Sequence, residues 1–480
     1  MYYKMKRYII GIVSVVFMVG SVSCKKSLTE QLHSSISPSN FYKTTADAEA
    51  ALNGAFSYLK QQPFYQRGIY LVTDLSTDIF RPNNANSDRV EIYTGTYTPF
   101  NSTLYAFWTD CYVTIKNCND VIRYVPGMDI DPAFKNNIVG NACFLRAMCF
   151  FDLVRMYGDV PLVLKNGGDQ NLFPSRDPAK SIYAQVIQDL KFAETNCVHA
   201  GQITSDKIGR VSSEAASAML ARVYLQRGST TFADGADNQN ALAECNKVIA
   251  YSAANPGVIG LVPNYKDIFD VTKKNGPESI FAIQFGSNSP DNVNITNLMF
   301  DPASLGGFAS FLPNSSFYSS YDPNDSRQAV NVGTVFAGTV YISKYHDPNV
   351  APGALGGTNW IVLRYSDVLL MQSEALDKIN TADASKFNGI NQVRTRAGLG
   401  ANLLDFTNTP AESDFVTALL NERLWELCLE GHRRWDLIRF NKFLQAKAAQ
   451  GFTVSTDHLL YPIPQAERDL NKNLSQNTGY

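Results

Sequence analysis

Residues 426–440 read ELCLEGHRRWDLIRF, fifteen positions crowded with acids, arginines, one histidine and one tryptophan. With Glu422 the acids Glu426 and Glu430 fall four residues apart. On a helix that spacing sets all three on one face, where they repel unless cations meet them. Two carboxylates flanking a sugar bond would make a glycoside hydrolase. The neighbouring residues argue for another use. Gly431 is a natural helix stop, and Arg433, Arg434, Asp436 and Arg439 follow it. Arginine forks pair carboxylates bidentately and would neutralise the stripe. Glu422, Glu426, Glu430, Arg433, Arg434, Asp436 and Arg439 are therefore read as a brace between two helices. His432 is one imidazole in a chain with five, whereas a metal site wants several ligands. Packing is its expected role. No catalytic residue is assigned.

Asp322, Asn324 and Asp325 resemble a piece of a calcium loop. The glycine and the later glutamate of that loop are missing, so these side chains are expected to cap a turn. No metal and no cofactor is expected.

The elements that must position these residues are helical. Apolar residues recur at helical spacing near 104–124, 136–157, 180–196, 212–227, 239–253, 365–379, 384–397 and 412–430. An earlier helix starts where Thr45 or Asp47 can cap it. Ala142, Leu145, Ala147 and Phe150 in one helix, and Ala215, Ala218, Leu220 and Tyr224 in another, alternate small and large residues. That alternation lets helices approach closely, as in tetratricopeptide-type pairs, although no strict period repeats. The expected class is mostly α, a frame of degenerate tetratricopeptide-like helix pairs with a loop-rich face. Two loops interrupt it, 81–103 and 285–321, long enough to suggest function. Trp108, Trp435 and Trp360 are expected in the core.

The net charge of -2 offers no basic run to nucleic acid. Lys4, Lys6 and Arg7 precede a short apolar stretch, small residues and Cys24. This reads as a secretory signal over 1–23 with Cys24 as a lipidation site, although Ser21 stands where leucine is usual. A polar tether follows over 24–38. The other seven cysteines show no CxxC spacing and are read as small buried hydrophobes.

EGHRRWDLIRF and YPIPQAERDLNKNLSQNTGY resemble two signature segments of the SusD/RagB family. WIVLRYSDVLLMQSEAL, FLRAMCFFDLVRMYGDVPLV and FWTDCYVTIKNCNDVI resemble its other segments, in order. Lys472 and Thr478 stand where the family often has proline. The resemblance divides the body into an N-terminal region, 39–260, and a C-terminal SusD/RagB region, 261–480. It implies a noncatalytic lipoprotein on the outer face of the outer membrane. Such a protein hands an oligosaccharide, or in some cases a peptide, to a TonB-dependent SusC-like transporter. A protein-binding scaffold and a secreted hydrolase are the rival readings.

Sugar faces stack on aromatic rings, and sugar hydroxyls pair with amides and arginine. Candidate ligand contacts are therefore Arg81, Asn83, Asn84, Tyr93, Tyr97 and Asn101 in the first loop. Phe308, Phe311 and Tyr318 in the second would face them from the other side.

Overall fold

The computed structural model describes residues 41–166, 171–286, 293–335 and 338–480. The signal segment, Cys24 and the tether lie outside them. Residues 44–480 form one compact unit.

That unit is mostly helical. Its first helix, α1 (Thr45–Tyr58), is capped by Thr44, whose hydroxyl accepts from the Asp47 amide while Asp47 reaches back to the Thr44 amide at 2.7 Å. The cap thus sits one residue before the expected Thr45. There follow α2 (Gly68–Val72), strand β1 (Phe80–Pro82), α3 (Ser87–Thr94), α4 (Ser102–Tyr124) and α5 (Pro132–Tyr157). Next come α6 (Ala179–Asn196), α7 (Ser213–Arg227) and α8 (Asp237–Ala254). The second half holds β2 (Ser279–Ile283), β3 (Phe311–Pro313), β4 (Val332–Val335), β5 (Thr339–Ile342) and β6 (Trp360–Arg364). It ends with α9 (Tyr365–Ile379), α10 (Lys386–Arg396), α11 (Glu412–Leu427), α12 (Arg433–Arg439) and α13 (Phe443–Ala449), besides shorter turns.

Each helix from α4 to α10 packs on the next in sequence, and α1 packs on α4 and α5. Side-chain caps set the starts: Asn101 for α4, Asp131 for α5 and Ser212 for α7. Such caps satisfy amide donors that the first turn cannot. Helix α5 is the centre. Every residue from Ile138 to Val154 is buried. It is apolar and long enough to cross a membrane, yet its apolar surface is covered by protein. Gly140 lets Cys197 sulfur lie against it.

The strands form three antiparallel pairs, β1–β3, β2–β6 and β4–β5. In the first, Phe80 faces Pro313, Arg81 faces Leu312 and Pro82 faces Phe311. Strand β6 runs straight into α9, so Arg364 sits at the junction with its side chain inside. All seven described cysteines are free and buried, as are Trp108, Trp360 and Trp435.

Two expectations need correction. Residues 81–103 are not one loop: Asn86 caps α3, Gly95 closes it in the left-handed region, and α4 begins at Ser102. Only Ile92 of α3 is buried, so its polar sequence hid the helix. Helix α11 stops at Leu427, before Glu430. Leu429 and Gly431 both take positive φ and turn the chain back.

Candidate functional site

The acids of the opening stretch are brought together, but not by the expected arginines. Glu422 accepts from Arg327 at 2.6 Å and from Arg394 at 3.0 Å. Glu426 meets Arg327 at 2.9 Å, and also Arg364 and Arg396. Glu430, in the turn, meets Arg364 at 2.8 Å and Lys344 at 2.7 Å. Glu278 completes the group through Arg364 and Arg396, each at 3.0 Å. Arg433 pairs instead with Asp78 at 2.6 Å, and Arg439 with Glu374 at 2.6 Å and Asp436 at 2.8 Å. Among the described residues Arg434 meets no carboxylate; it donates to Ser76 and to the carbonyls of His458 and Leu459, and stacks on Tyr461. The reason is the early helix stop, which carries α12 away from the acidic face of α11. The brace therefore joins six chain segments rather than two helices. Arg327, Arg364, Arg394, Arg396 and Lys344 were missed because each is an isolated cation far from 426–440 in sequence.

Apart from Arg394 and Asp78, whose side chains keep 11% and 24% exposure, these charged side chains are buried. Although burial opposes the charged form, Arg396, Arg364 and Arg327 hold the Glu426 carboxyl well below its usual range. Burial pushes His432 down to about 3, so it is neutral at physiological pH. A buried, fully neutralised network offers no substrate access. Asp322 accepts from the Asn324 amide at 2.8 Å and Asp325 is taken by Arg327 at 2.7 Å. Among the described residues, no group of three or more histidine, cysteine or acidic side chains could hold a metal ion.

The ligand candidates divide. Strands β1 and β3 join the two loops into one patch, extended by bonds from Asn83 to the carbonyls of Ser310 and Ala309, both 2.9 Å. Arg81, Asn83, Asn84 and Phe308 are exposed on it, Phe308 at 61%. Tyr93 and Tyr318 are half-buried beside Asn314, which accepts from the Tyr93 hydroxyl at 3.4 Å. Lys447 lies behind, donating to the Tyr93 carbonyl, its ammonium pushed down to about 7 by burial.

Tyr97, Asn101 and Phe311 do not belong to this surface. Tyr97 donates to the His458 carbonyl at 2.6 Å and packs on Tyr461. Asn101 is the α4 cap and holds Glu91 at 2.9 Å. Phe311 is wholly buried against Phe80. The period of two in β3 turns its ring inward. Three residues near the patch escaped sequence reading. Arg67 and Arg89 lie under it, Arg89 over the Phe311 ring at 5.2 Å. Trp425 is half-buried beside the second loop, donating to Ser320 at 2.9 Å.

Several concavities lie elsewhere among the described residues. One of about 310 Å³ is lined by Lys60, Lys207, Arg210 and Gln284 among others. Another of about 780 Å³ runs between Leu261–Pro263 and α10. Of its polar groups, Asn391 is held by Leu404 and Arg396 by the brace, while Asn388 and Gln392 are exposed. The β1–β3 patch joins the two loops and sets the exposed Phe308 ring beside the exposed Arg81, Asn83 and Asn84, and is the candidate site.

The comparisons with known proteins agree with this architecture. Residues 324–480 match a family model described as "SusD family", and residues 33–225 match one described as "Starch-binding associating with outer membrane". A SusD-like protein P2 of Formosa agariphila is 27% identical, across 99% of this chain and 100% of that one. A SusD homologue of Bacteroides thetaiotaomicron superposes with a TM-score of 0.81 at 22% identity, covering 92% of this chain and 98% of its own. Surface glycan-binding protein A of the same organism, solved in complex with laminarihexaose, gives 0.75 at 21% identity, covering 90% and 99%. The matches at both ends, the full-length relative and the shared fold lead to one conclusion: the chain belongs to the SusD family, whose members are binding proteins and not enzymes.

Proposed function

We propose that this chain is a lipoprotein anchored through Cys24 to the outer face of the outer membrane. It captures a glycan on the β1–β3 patch and passes it to a TonB-dependent transporter barrel. The observation that carries the reading is the Phe308 ring, exposed beside Arg81, Asn83 and Asn84 where β1 and β3 join the two loops. An open ring offers a stacking face, and the neighbouring side chains offer donors and acceptors to hydroxyls. Binding and release need no covalent step. The laminarihexaose held by the glycan-binding protein of the same fold supports a saccharide ligand. The description of the family as associating with the outer membrane supports the location.

Two measurements test the reading. Affinity electrophoresis of the purified chain against a panel of polysaccharides should retard it in at least one gel. Purification of the tagged chain from detergent-solubilised outer membranes should bring down a large barrel. Failure of both, with globomycin-insensitive processing at Cys24, overturns it.

A further inference from the structure

Arg67 and Arg89 are the anomaly of the candidate site. Both are half-buried, on the chain leading into α2 and on α3, and both lie close to the buried ring of Tyr70. The groups that act on the Arg89 charge are Arg67, a like charge, and Tyr70; burial itself disfavours that charge most. Among the described residues no carboxylate pairs with either guanidinium. Arg67 Nε is buried with no acceptor. Arg81, on the adjoining strand, lies near Tyr93 and also lacks an ion pair. Elsewhere in the protein Arg327, Arg364, Arg423 and Arg439 all meet carboxylates. Two neighbouring, half-buried cations without a counter-ion among the described residues cost stability, and such strain collects where a ligand supplies the missing partner. Guanidinium forks match carboxylate and sulfate oxygens in pairs.

We propose that Arg67 and Arg89 receive an anionic substituent of the glycan, a sulfate ester or a uronate carboxylate, so that the ligand is an acidic polysaccharide. This rests on the glycan-capturing reading above and names the class of glycan. The neutral part of the chain would then lie over Phe308, Asn83 and Asn84.

The test compares dextran sulfate, polygalacturonate, dextran, laminarin and polyglutamate by isothermal titration at low and high salt. The wild-type chain should bind dextran sulfate or polygalacturonate at least about tenfold more tightly than dextran, and whichever is tighter separates sulfate from carboxylate. Arg67→Gln and Arg89→Gln should each lose about tenfold of that affinity. Their thermal midpoints should hold or rise, because like-charge repulsion is relieved; a purely structural role predicts a fall. Arg89→Lys keeps the charge without the fork and should weaken the acidic ligand alone, which covers the case where the glutamine variant does not fold. Lys180→Gln, on the exposed face of α6, should change nothing. An equal loss in Lys180→Gln would overturn the site as a nonspecific charge effect. Binding of laminarin or dextran unaltered by Arg67→Gln and Arg89→Gln, with no preference for acidic polymers, overturns this inference and leaves glycan capture standing. Tighter binding of polyglutamate assigns the site to an acidic peptide and overturns it too. Binding of none of the five overturns this inference, while glycan capture stands or falls with the wider polysaccharide panel above.

Discussion

Arg327 and Glu422 meet at 2.6 Å with neither side chain exposed to solvent. The same guanidinium reaches Glu426 at 2.9 Å and Asp325 at 2.7 Å, so one arginine fastens the turn before β4 to the face of α11. Removing one member of such a group strands charge in a dry interior.

Arg327→Met should therefore destabilise the protein by about 3–5 kcal/mol, read from urea unfolding midpoints and slopes. Adding Glu422→Leu should recover part of that loss, because the second change removes a carboxylate that the first left short of a partner. A loss under about 1 kcal/mol in Arg327→Met would show that Arg364, Arg394 and Arg396 suffice without it.

Asp74 and His432 should oppose each other as pH changes. Burial raises the Asp74 carboxyl from 3.8 to about 7, although it accepts from the amides of Gly431 and Arg433. Its contribution is full below pH 3.8 and is lost as pH rises through about 7. Burial lowers His432 from 6.5 to about 3, so its contribution is full above pH 6.5 and is lost as pH falls towards 3. Glu426 and Glu430, both held low, begin to cost stability only below 4.5. Each of the two opposing slopes is at most about 1.4 kcal/mol per pH unit. Between pH 4.5 and 6.5, and relative to the unchanged protein, Asp74→Asn should lose stability on acidification and His432→Gln should gain it. Thermal midpoints of all three proteins across that window check this; differences from the unchanged protein that slope the same way in both variants would refute the assignment.

Phe308 and Tyr97 separate ligand contact from packing. Phe308→Ala should lower affinity for the bound glycan about tenfold, one ring's stacking, and leave the thermal midpoint unchanged. Tyr97→Phe should do the reverse. It loses the 2.6 Å bond to the His458 carbonyl, costs about 1 kcal/mol and leaves binding intact. Titration calorimetry and thermal unfolding on both variants give the four readings.

Gly389 and Gly54 should respond to alanine with opposite signs. A Cβ at Gly389 would lie 2.4 Å from the Leu369 carbonyl oxygen, where α10 crosses α9, so Gly389→Ala should cost about 1–3 kcal/mol. A Cβ at Gly54 meets nothing within 4 Å on the exposed side of α1, and Gly54→Ala should add about 0.5–1 kcal/mol. Chemical unfolding of the two variants side by side checks both signs.

The long helices were legible because each repeats a local signal along its length, apolar residues at helical spacing, whereas Asn101, read as a ligand contact, proved to be the cap of α4. Burial of Trp108 and Trp435 followed from their place in helical segments, and that of Trp360 from the strand-like apolar run it opens. Helix α3 was not legible, because eight mostly polar residues with one buried isoleucine carry too little pattern. The end of α11 was misplaced because Leu429 takes a positive φ that its residue type disfavours.

By itself, the sequence determined the helical frame and the family signature in EGHRRWDLIRF, and led to the expectation that the charges there brace the protein. Tertiary structure alone decided the partners. Glu422 finds Arg327 across 95 residues and Glu430 finds Arg364 across 66, and no local rule selects one arginine among many at such distance. It decided the candidate site in the same way. Pairing of β1 with β3 turned Phe311 inward and joined the loop that carries Phe308 to the one that carries Arg81, Asn83 and Asn84, because side-chain direction and the meeting of distant loops depend on strand register.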